Sequence, residues 1–263
     1  MRYKLGISTC PNDTFMFHAL LTGRVQCEGF DLDIELLDVQ QLNEGLARGD
    51  YAFSKASCFG AVLLRERYEL CSSGAALGYG VGPLVLARKG APPLSAEANV
   101  LAPGNLTTAC MLFRHFFPQA TSISQLVFSE IMPALERADA DYGIVIHEGR
   151  FTYQESGLSL VADLGDLWEK RYNVPLPLGC IVADRALSAE HRRAFCSAVR
   201  RSIEYGYAHR EEALPTMRRY AQELGDEVIW KHVELYVNEW SLDLGDKGRE
   251  AFAILESVAL SSL

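Results

Sequence analysis

Short apolar runs alternate with helical patterns through the first two thirds of this 263-residue chain, and that alternation confines the fold to the α/β class. Residues 3–7 read as a buried strand and 14–21 as a helix. Residues 30–37 alternate apolar with acidic side chains, as a strand does when one face meets water. A short helix over 42–48 is ended by Gly49. Residues 51–54 form a strand that leads into the loop Lys55-Ala56-Ser57. A helix at 59–65 and strands at 68–72 and 84–87 follow. A second α/β section runs from about residue 99 to 172. Its strands are expected at 100–102, 126–128 and 142–146, and its helices at 109–117 and 131–137. Mixed sheets flanked by helices on both faces are the expected result.

Two passages join the sections. The first holds Gly74, Gly78, Gly80 and Gly82 before Pro83; it lacks the spacing of a dinucleotide fingerprint and suits a hinge or crossover. The second is Pro175-Leu176-Pro177-Leu178-Gly179, followed by a short strand at 180–183. From Ser188 onward the chain is helical. Phe195, Val199, Ile203 and Tyr207 form one apolar stripe; Ile229, Val233, Tyr236 and Val237 form another; Phe252, Leu255 and Val258 form a third. Pro215 is expected in the first turn of a helix. This order predicts two lobes: residues 1–85 with 180–263 as the larger, containing both termini, and 86–179 as an inserted smaller lobe. A cleft between lobes is the default place for a small ligand.

Composition narrows the partners. The net charge is −9 and the pI about 5.2, which argues against nucleic acid and against anionic membrane surfaces. A local positive site for an anionic small molecule is still compatible with that balance. Met1-Arg2-Tyr3-Lys4 runs straight into a strand, so no secretory signal is expected, and no segment approaches the ~20 apolar residues of a membrane span. The seven cysteines contain no CxxC pair, which suits reduced thiols in a cytoplasm and speaks against a zinc site. A homodimer is left open as an assembly.

Four loops that follow strands carry the candidate chemistry. In the first, 8–13, Pro11 presets φ and Asn12 or Asp13 is placed to cap the next helix. Cys10 lies in the same loop and reads as a small neutral side chain rather than a nucleophile. The second loop is Lys55-Ala56-Ser57. In the third, Gly104 lets the backbone come close while Thr107 and Thr108 open a helix; this suits a carboxylate, or the threonines simply cap their own helix. The fourth, His147-Glu148-Gly149-Arg150, ends an apolar strand. His147 is the expected general base, because an imidazole titrates near ~6.5. Arg150 is placed to hold an anion or to pair with Glu148. His18, His115, His191, His209 and His232 fall on predicted helices and read as structural. No serine nucleophile motif, phosphate loop or zinc signature occurs, so cofactor-free acid–base chemistry without a metal is expected.

Five blocks together resemble a known family. They are 8–15 (Ser-Thr-Cys-Pro-Asn-Asp-Thr-Phe), 78–84 (Gly-Tyr-Gly-Val-Gly-Pro-Leu), Pro103-Gly104 with Thr107-Thr108-Ala109, 146–153 (Ile-His-Glu-Gly-Arg-Phe-Thr-Tyr), and 175–179 (Pro-Leu-Pro-Leu-Gly). In this order they resemble the 1,4-dihydroxy-6-naphthoate synthases of the futalosine route to menaquinone. The resemblance implies a two-lobed periplasmic-binding-protein-like (type II) fold used as a cytoplasmic lyase. It implies cyclic dehypoxanthinyl futalosine, a bicyclic carboxylate, as substrate and His147 as proton acceptor. It further implies Lys55, Ala56, Ser57, Thr107 and Thr108 as substrate-binding positions; Asn12, Asp13 and Arg150 join them by their loop placement. Two other readings share the fold: a solute-binding protein for a small carboxylate, and the related chorismate dehydratase.

Overall fold

The computed structural model describes residues 1–147, 149–221 and 225–261. Strand β1 (Arg2–Ser8) leads into helices α1 (Pro11–Met16) and α2 (His18–Leu21), and β2 (Asp31–Leu37) into α3 (Val39–Arg48). Next come β3 (Phe53–Ser57), α4 (Cys58–Leu63), β4 (Tyr68–Leu70) and β5 (Ala76–Gly78). The middle of the chain contributes β6 (Leu84–Ala87), β7 (Val100–Ala102), α5 (Thr108–Phe116), β8 (Ile123–Gln125), α6 (Phe128–Glu136) and β9 (Tyr142–Val145). A short α7 (Gly149–Thr152), β10 (Ser159–Asp163) and α8 (Leu164–Tyr172) precede the long β11 (Leu176–Asp184). Helices α9 (Ala189–Ala208), α10 (Arg210–Tyr220), α11 (Asp226–Tyr236), α12 (Glu239–Leu242) and α13 (Gly245–Ser261) complete it.

Two mixed sheets result. The first has the order β2-β1-β3-β11-β4, with β5 also paired to β11; the second has the order β10-β6-β9-β7-β8. In the first, β2, β1 and β3 run parallel, while β11 runs antiparallel to β3. In the second, β9, β7 and β8 run parallel, while β6 runs antiparallel to β9. The chain enters the second sheet through the glycine-rich passage and returns on β11, whose first residue pairs with Gly78.

Period-two alternation sends side chains of one strand into different cores. On β6, Val85 and Ala87 join the large apolar cluster that also holds Phe113, Trp168 and Leu255. Leu84 and Leu86 face the other way, toward Ile131 and Leu135 of α6. Both faces of this strand are therefore buried, which is why β6 reads as a continuous apolar run. A separate cluster under the first sheet joins Leu5, Ile7 and Phe53 to Phe195, Val199, Ile203, Ile229 and Val233 of the C-terminal helices. Phe53 and Phe195 stack with centroids 3.9 Å apart. The expected stripes on α9, α11 and α13 thus face cores, except that Tyr207 at the end of the first is exposed.

Several expected boundaries differ, each for a physical reason. The first helix starts at Pro11, with Cys10 as N-cap making no side-chain cap bond, and is interrupted at Phe17. Neither Asn12 nor Asp13 caps it, because both sit inside its first turn. Helix α3 starts three residues before the expected 42, since Asp38 and Gln41 form a capping box. Lys55-Ala56-Ser57 is the second half of a strand, paired with 179–181 of β11, rather than a loop. The strand expected at 126–128 lies at Ile123–Gln125, and α6 already begins at Phe128. Strand β10 and helix α8 were not expected; the former is an exposed edge strand with a bulge between Leu160 and Ala162, so its pattern is broken. Pro215 stands in the interior of α10, not its first turn. It leaves the Glu211 carbonyl without a helical donor on an exposed face. No helix among the described residues is long and apolar enough to cross a membrane.

Candidate functional site

The carboxyl ends of β1, β3 and β9, the start of α5, the β5–β6 connection and α11 converge on one cavity. It encloses about 710 Å³ of space, its open mouth included, and is lined by Ser8, Asn12, Asp13, Lys55, Ser57, Thr107, Thr108, His147, Arg150 and His232 among others. Apolar side chains such as Val39, Val81, Pro83, Ile146 and Leu178 fill in between. A mostly apolar cleft with a few convergent polar groups is what small-ligand sites are made of.

One polar wall is a chain of buried groups of fixed polarity. Asp13 and Lys55 are 0% and 6% exposed in their side chains, and Lys55 Nζ lies 2.5 Å from Asp13 Oδ1. Two charges at that depth are tolerable only as a pair. Asp13 also accepts from the Ser8 amide (3.3 Å) and from Asn12 Nδ2 (3.0 Å). Asn12 Oδ1 in turn faces His232 Nε2 at 2.9 Å, across 220 residues of sequence. His232 is fully buried, and burial first, then the nearby His147 and Lys55, hold its imidazole well below the ordinary value of 6.5.

The other wall is made of hydroxyls. Thr107 caps α5: its Oγ1 accepts from the Cys110 amide (3.2 Å) and donates to the Gly104 carbonyl (2.7 Å). Thr108 Oγ1 donates to the Leu178 carbonyl (3.1 Å), accepts from the Phe59 amide (3.1 Å), and lies 2.8 Å from Ser57 Oγ. Ser57 Oγ also accepts from the Thr108 amide at 2.6 Å. This wall therefore ties the start of α5, which follows a strand of the second sheet, to β3 and β11 of the first.

His147 stands between the walls. It follows β9 with φ 56°, a left-handed turn that few side chains other than Asn, Asp and His adopt, and it redirects the chain into α7. Its ring meets Phe128 edge-on at 4.9 Å and lies nearly parallel to His232, with centroids 6.0 Å apart. Cys10 Sγ approaches both ring nitrogens, at 3.5 and 3.7 Å.

Two expected positions differ in what their side chains do. Ala56 is fully buried on the face of β3 opposite Lys55 and Ser57, in the large apolar cluster, because successive strand residues alternate. Arg150 lines the cavity and donates to Asp163 (2.6 Å) and to the Gly82 carbonyl (2.5 Å), so Asp163 is the carboxylate it pairs with here. Glu148 lies outside the described residues. Sequence reasoning placed Ser8 in a cleft-facing loop but missed Tyr236 and, above all, His232. The one local signal for His232 is that an ionisable group interrupts the apolar stripe of α11, three residues after Ile229 and four before Tyr236. The partner that explains it comes from the opposite end of the chain.

Comparisons with known proteins agree with this geometry. Residues 3–260 match a family model described as menaquinone biosynthesis. The chain is 46% identical over 254 residues to a 1,4-dihydroxy-6-naphthoate synthase of Thermus thermophilus, covering 96% of this chain and 92% of that one. It is 38% identical over 253 residues to a protein of the same name from Streptomyces coelicolor, covering 94% and 89%. A solved protein from Archaeoglobus fulgidus superposes with a TM-score of 0.93 at 29% identity, over 99% of this chain and 97% of the other. The periplasmic aliphatic sulphonate binding protein of Escherichia coli shares the fold alone, with a TM-score of 0.64 at 14% identity over 99% and 86%. The architecture is thus periplasmic-binding-protein-like, and the chain belongs to the menaquinone biosynthesis family.

Proposed function

We propose that this protein converts cyclic dehypoxanthinyl futalosine to 1,4-dihydroxy-6-naphthoate, with His147 as the base. The names of the two relatives support the reaction. The observation that carries the residue assignment is His147 in a strained turn on a mostly apolar cavity, between an ion-paired wall and a hydroxyl wall. In this reading His147 removes a proton activated by a neighbouring carbonyl. A carbon–carbon bond then breaks, a small sugar-derived fragment leaves, and the remaining ring becomes aromatic. Aromatisation supplies driving force, so a positioned base in a dry cavity suffices. Lys55, Ser57, Thr107 and Thr108 line the substrate, with Asn12 and Asp13 behind them.

Two lobes are part of the same proposal: 1–85 with the C-terminal section, and the segment between them, closing on the substrate to exclude water. The hydrogen bonds of β11 favour drawing the second boundary at Leu176, where the chain rejoins the first sheet. A cytoplasmic setting completes the reading, and the seven free thiols suit a reducing compartment.

The test is incubation of the purified protein with cyclic dehypoxanthinyl futalosine, without added metal or cofactor, followed by mass spectrometry for 1,4-dihydroxy-6-naphthoate. Turnover is expected from the wild type, and His147→Ala should lower it by about 10²–10⁴-fold while the protein stays folded. Tight binding without product would return the chain to a solute-binding role. Near-normal turnover in His147→Ala would remove His147 from the chemistry.

A further inference from the structure

The polarity of the buried chain can be assigned atom by atom. Lys55 carries donors only, so Asp13 is the acceptor at its 2.5 Å contact. Asn12 presents its other terminus to the same carboxylate oxygen at 3.0 Å. An amide oxygen there would face a carboxylate oxygen with no hydrogen between them, so the group is Nδ2 and the amide cannot be flipped. Asn12 Oδ1 is then the atom 2.9 Å from His232 Nε2, and it can only accept. His232 must therefore carry its hydrogen on Nε2. Its Nδ1 is left as a lone pair.

Among the described residues that lone pair has no hydrogen-bond partner, although the atom is buried and His232 is one of the residues that line the cavity. A buried acceptor without a donor is costly, and such atoms in native proteins call for an explanation. The charged and titratable groups around the ring are Asp13 and Lys55 behind it, His147 across the cavity, and Tyr236 one turn on, at 4.7 Å between ring centroids. The burial and the positive neighbour disfavour an imidazolium, so protonation of Nδ1 does not resolve the deficit.

We infer that His232 is a ligand-contacting residue of this cavity, a fixed hydrogen-bond acceptor that takes a ligand hydroxyl at Nδ1. Asn12, Asp13 and Lys55 are its positioning residues: they touch His232 directly or through one another and hold the tautomer. The inference rests on the proposed reaction and adds a second imidazole with a different duty. His147 exchanges a proton; His232 keeps its own and reads a hydroxyl. A site of this kind rejects a ligand that lacks the hydroxyl, because the acceptor then stays unmatched.

Three variants separate this from a structural role. His232→Phe removes both nitrogens. His232→Asn keeps an acceptor near the position of Nδ1 and gives up the Asn12 contact. His232→Gln keeps a donor for Asn12 and displaces the acceptor. With cyclic dehypoxanthinyl futalosine as substrate, kcat/KM is expected to fall about 10- to 100-fold in His232→Phe and His232→Gln, with His232→Asn recovering most of the loss. The reverse order, with Gln near wild type and Asn impaired, would make His232 an anchor for Asn12 and overturn the inference. So would a His232→Phe enzyme within about threefold of wild type. Histidine-selective ¹⁵N NMR of the intact protein gives a readout independent of turnover: the resonance lost in His232→Phe should be an Nε2–H tautomer with unprotonated Nδ1. The opposite tautomer would refute the assignment. If the wild type is inert toward this substrate, the proposed reaction fails, and the tautomer still decides whether His232 is the acceptor described.

Discussion

The two polar walls of the cavity solve the same problem differently. The wall of Lys55, Asp13, Asn12 and His232 is assembled from α1, β3 and α11, all packed on the first sheet. Its charges are buried, so each member dictates the orientation of the next, and a single acceptor atom remains for a ligand. The wall of Ser57, Thr107 and Thr108 spans the two sheets, and its hydroxyls are spent on one another and on backbone groups. The first wall is a preset reader. The second is a clasp, whose geometry depends on how the sheets meet. Charge is what separates them, since both walls are buried: an ion pair cannot be left half-made, whereas a hydroxyl loses little by exchanging partners.

The largest effect should come from breaking the first wall at its ion pair. Lys55→Met strands the Asp13 carboxylate at full burial and is expected to cost about 3–5 kcal/mol, read as a fall in the urea midpoint. The double variant Lys55→Met with Asp13→Leu should regain most of that, since two apolar groups leave no stranded charge. A single variant costing under about 1 kcal/mol would show that the carboxylate is solvated, and the contrast between the walls would fail.

The clasp should be softer. Thr108→Val keeps the shape but removes the contacts to Leu178, Phe59 and Ser57. An expected loss of about 1–3 kcal/mol follows, because the Phe59 amide and the Leu178 carbonyl lose a partner. Thr108→Ser should restore it. Equal instability in the two variants would mean that packing of the methyl group, not the hydroxyl, holds the sheets at this point.

Acid should separate the walls as well, since only the first contains a titrating group held neutral. The folded pKa of His232 lies below the ordinary value of 6.5. Above about 6.5 neither state is protonated there and no penalty arises. Below it the unfolded chain binds a proton that the folded protein refuses, so stability falls as pH drops. The slope contributed is about 1.4 kcal/mol per pH unit for each such histidine. His232→Phe should remove up to one proton from the slope of unfolding free energy against pH as the pH falls below about 6.5. An unchanged slope would assign the acid sensitivity to His18 and His115, which burial also lowers.

The two walls were not equally legible in the sequence. Local pattern was enough for the alternation of strands and helices, for the carboxyl-end loops, and for His147 at the end of β9. It also brought Asn12, Asp13, Lys55, Ser57, Thr107 and Thr108 to one cavity, because each follows or ends a strand of a sheet whose ligands gather at that edge. What it could not supply was pairing at long range. Lys55 looks like a loop residue until β11 pairs beside it, Arg150 looks placed for an anion or for Glu148 until β10 brings Asp163, and His232 looks structural until α1 brings Asn12. Edge strands with broken alternation, such as β10, leave little period to read.

The smallest effect should fall on Thr107, and it tests what lining a cavity means for a hydroxyl already in use. Its oxygen accepts from Cys110 and donates to Gly104, the two duties of an N-cap that also fixes the preceding turn. No donor is left over, so the hydroxyl is committed to the protein although Thr107 lines the cavity. Thr107→Val should therefore cost about 1 kcal/mol of stability, seen as a melting temperature lower by a few degrees, while KM for the substrate shifts by less than about threefold. Thr107→Ser, which keeps the cap, should lose neither. A KM raised about tenfold in Thr107→Val at unchanged stability would mean that the hydroxyl leaves its cap for the ligand. The second wall would then be a reader too, one that is set only when the substrate arrives.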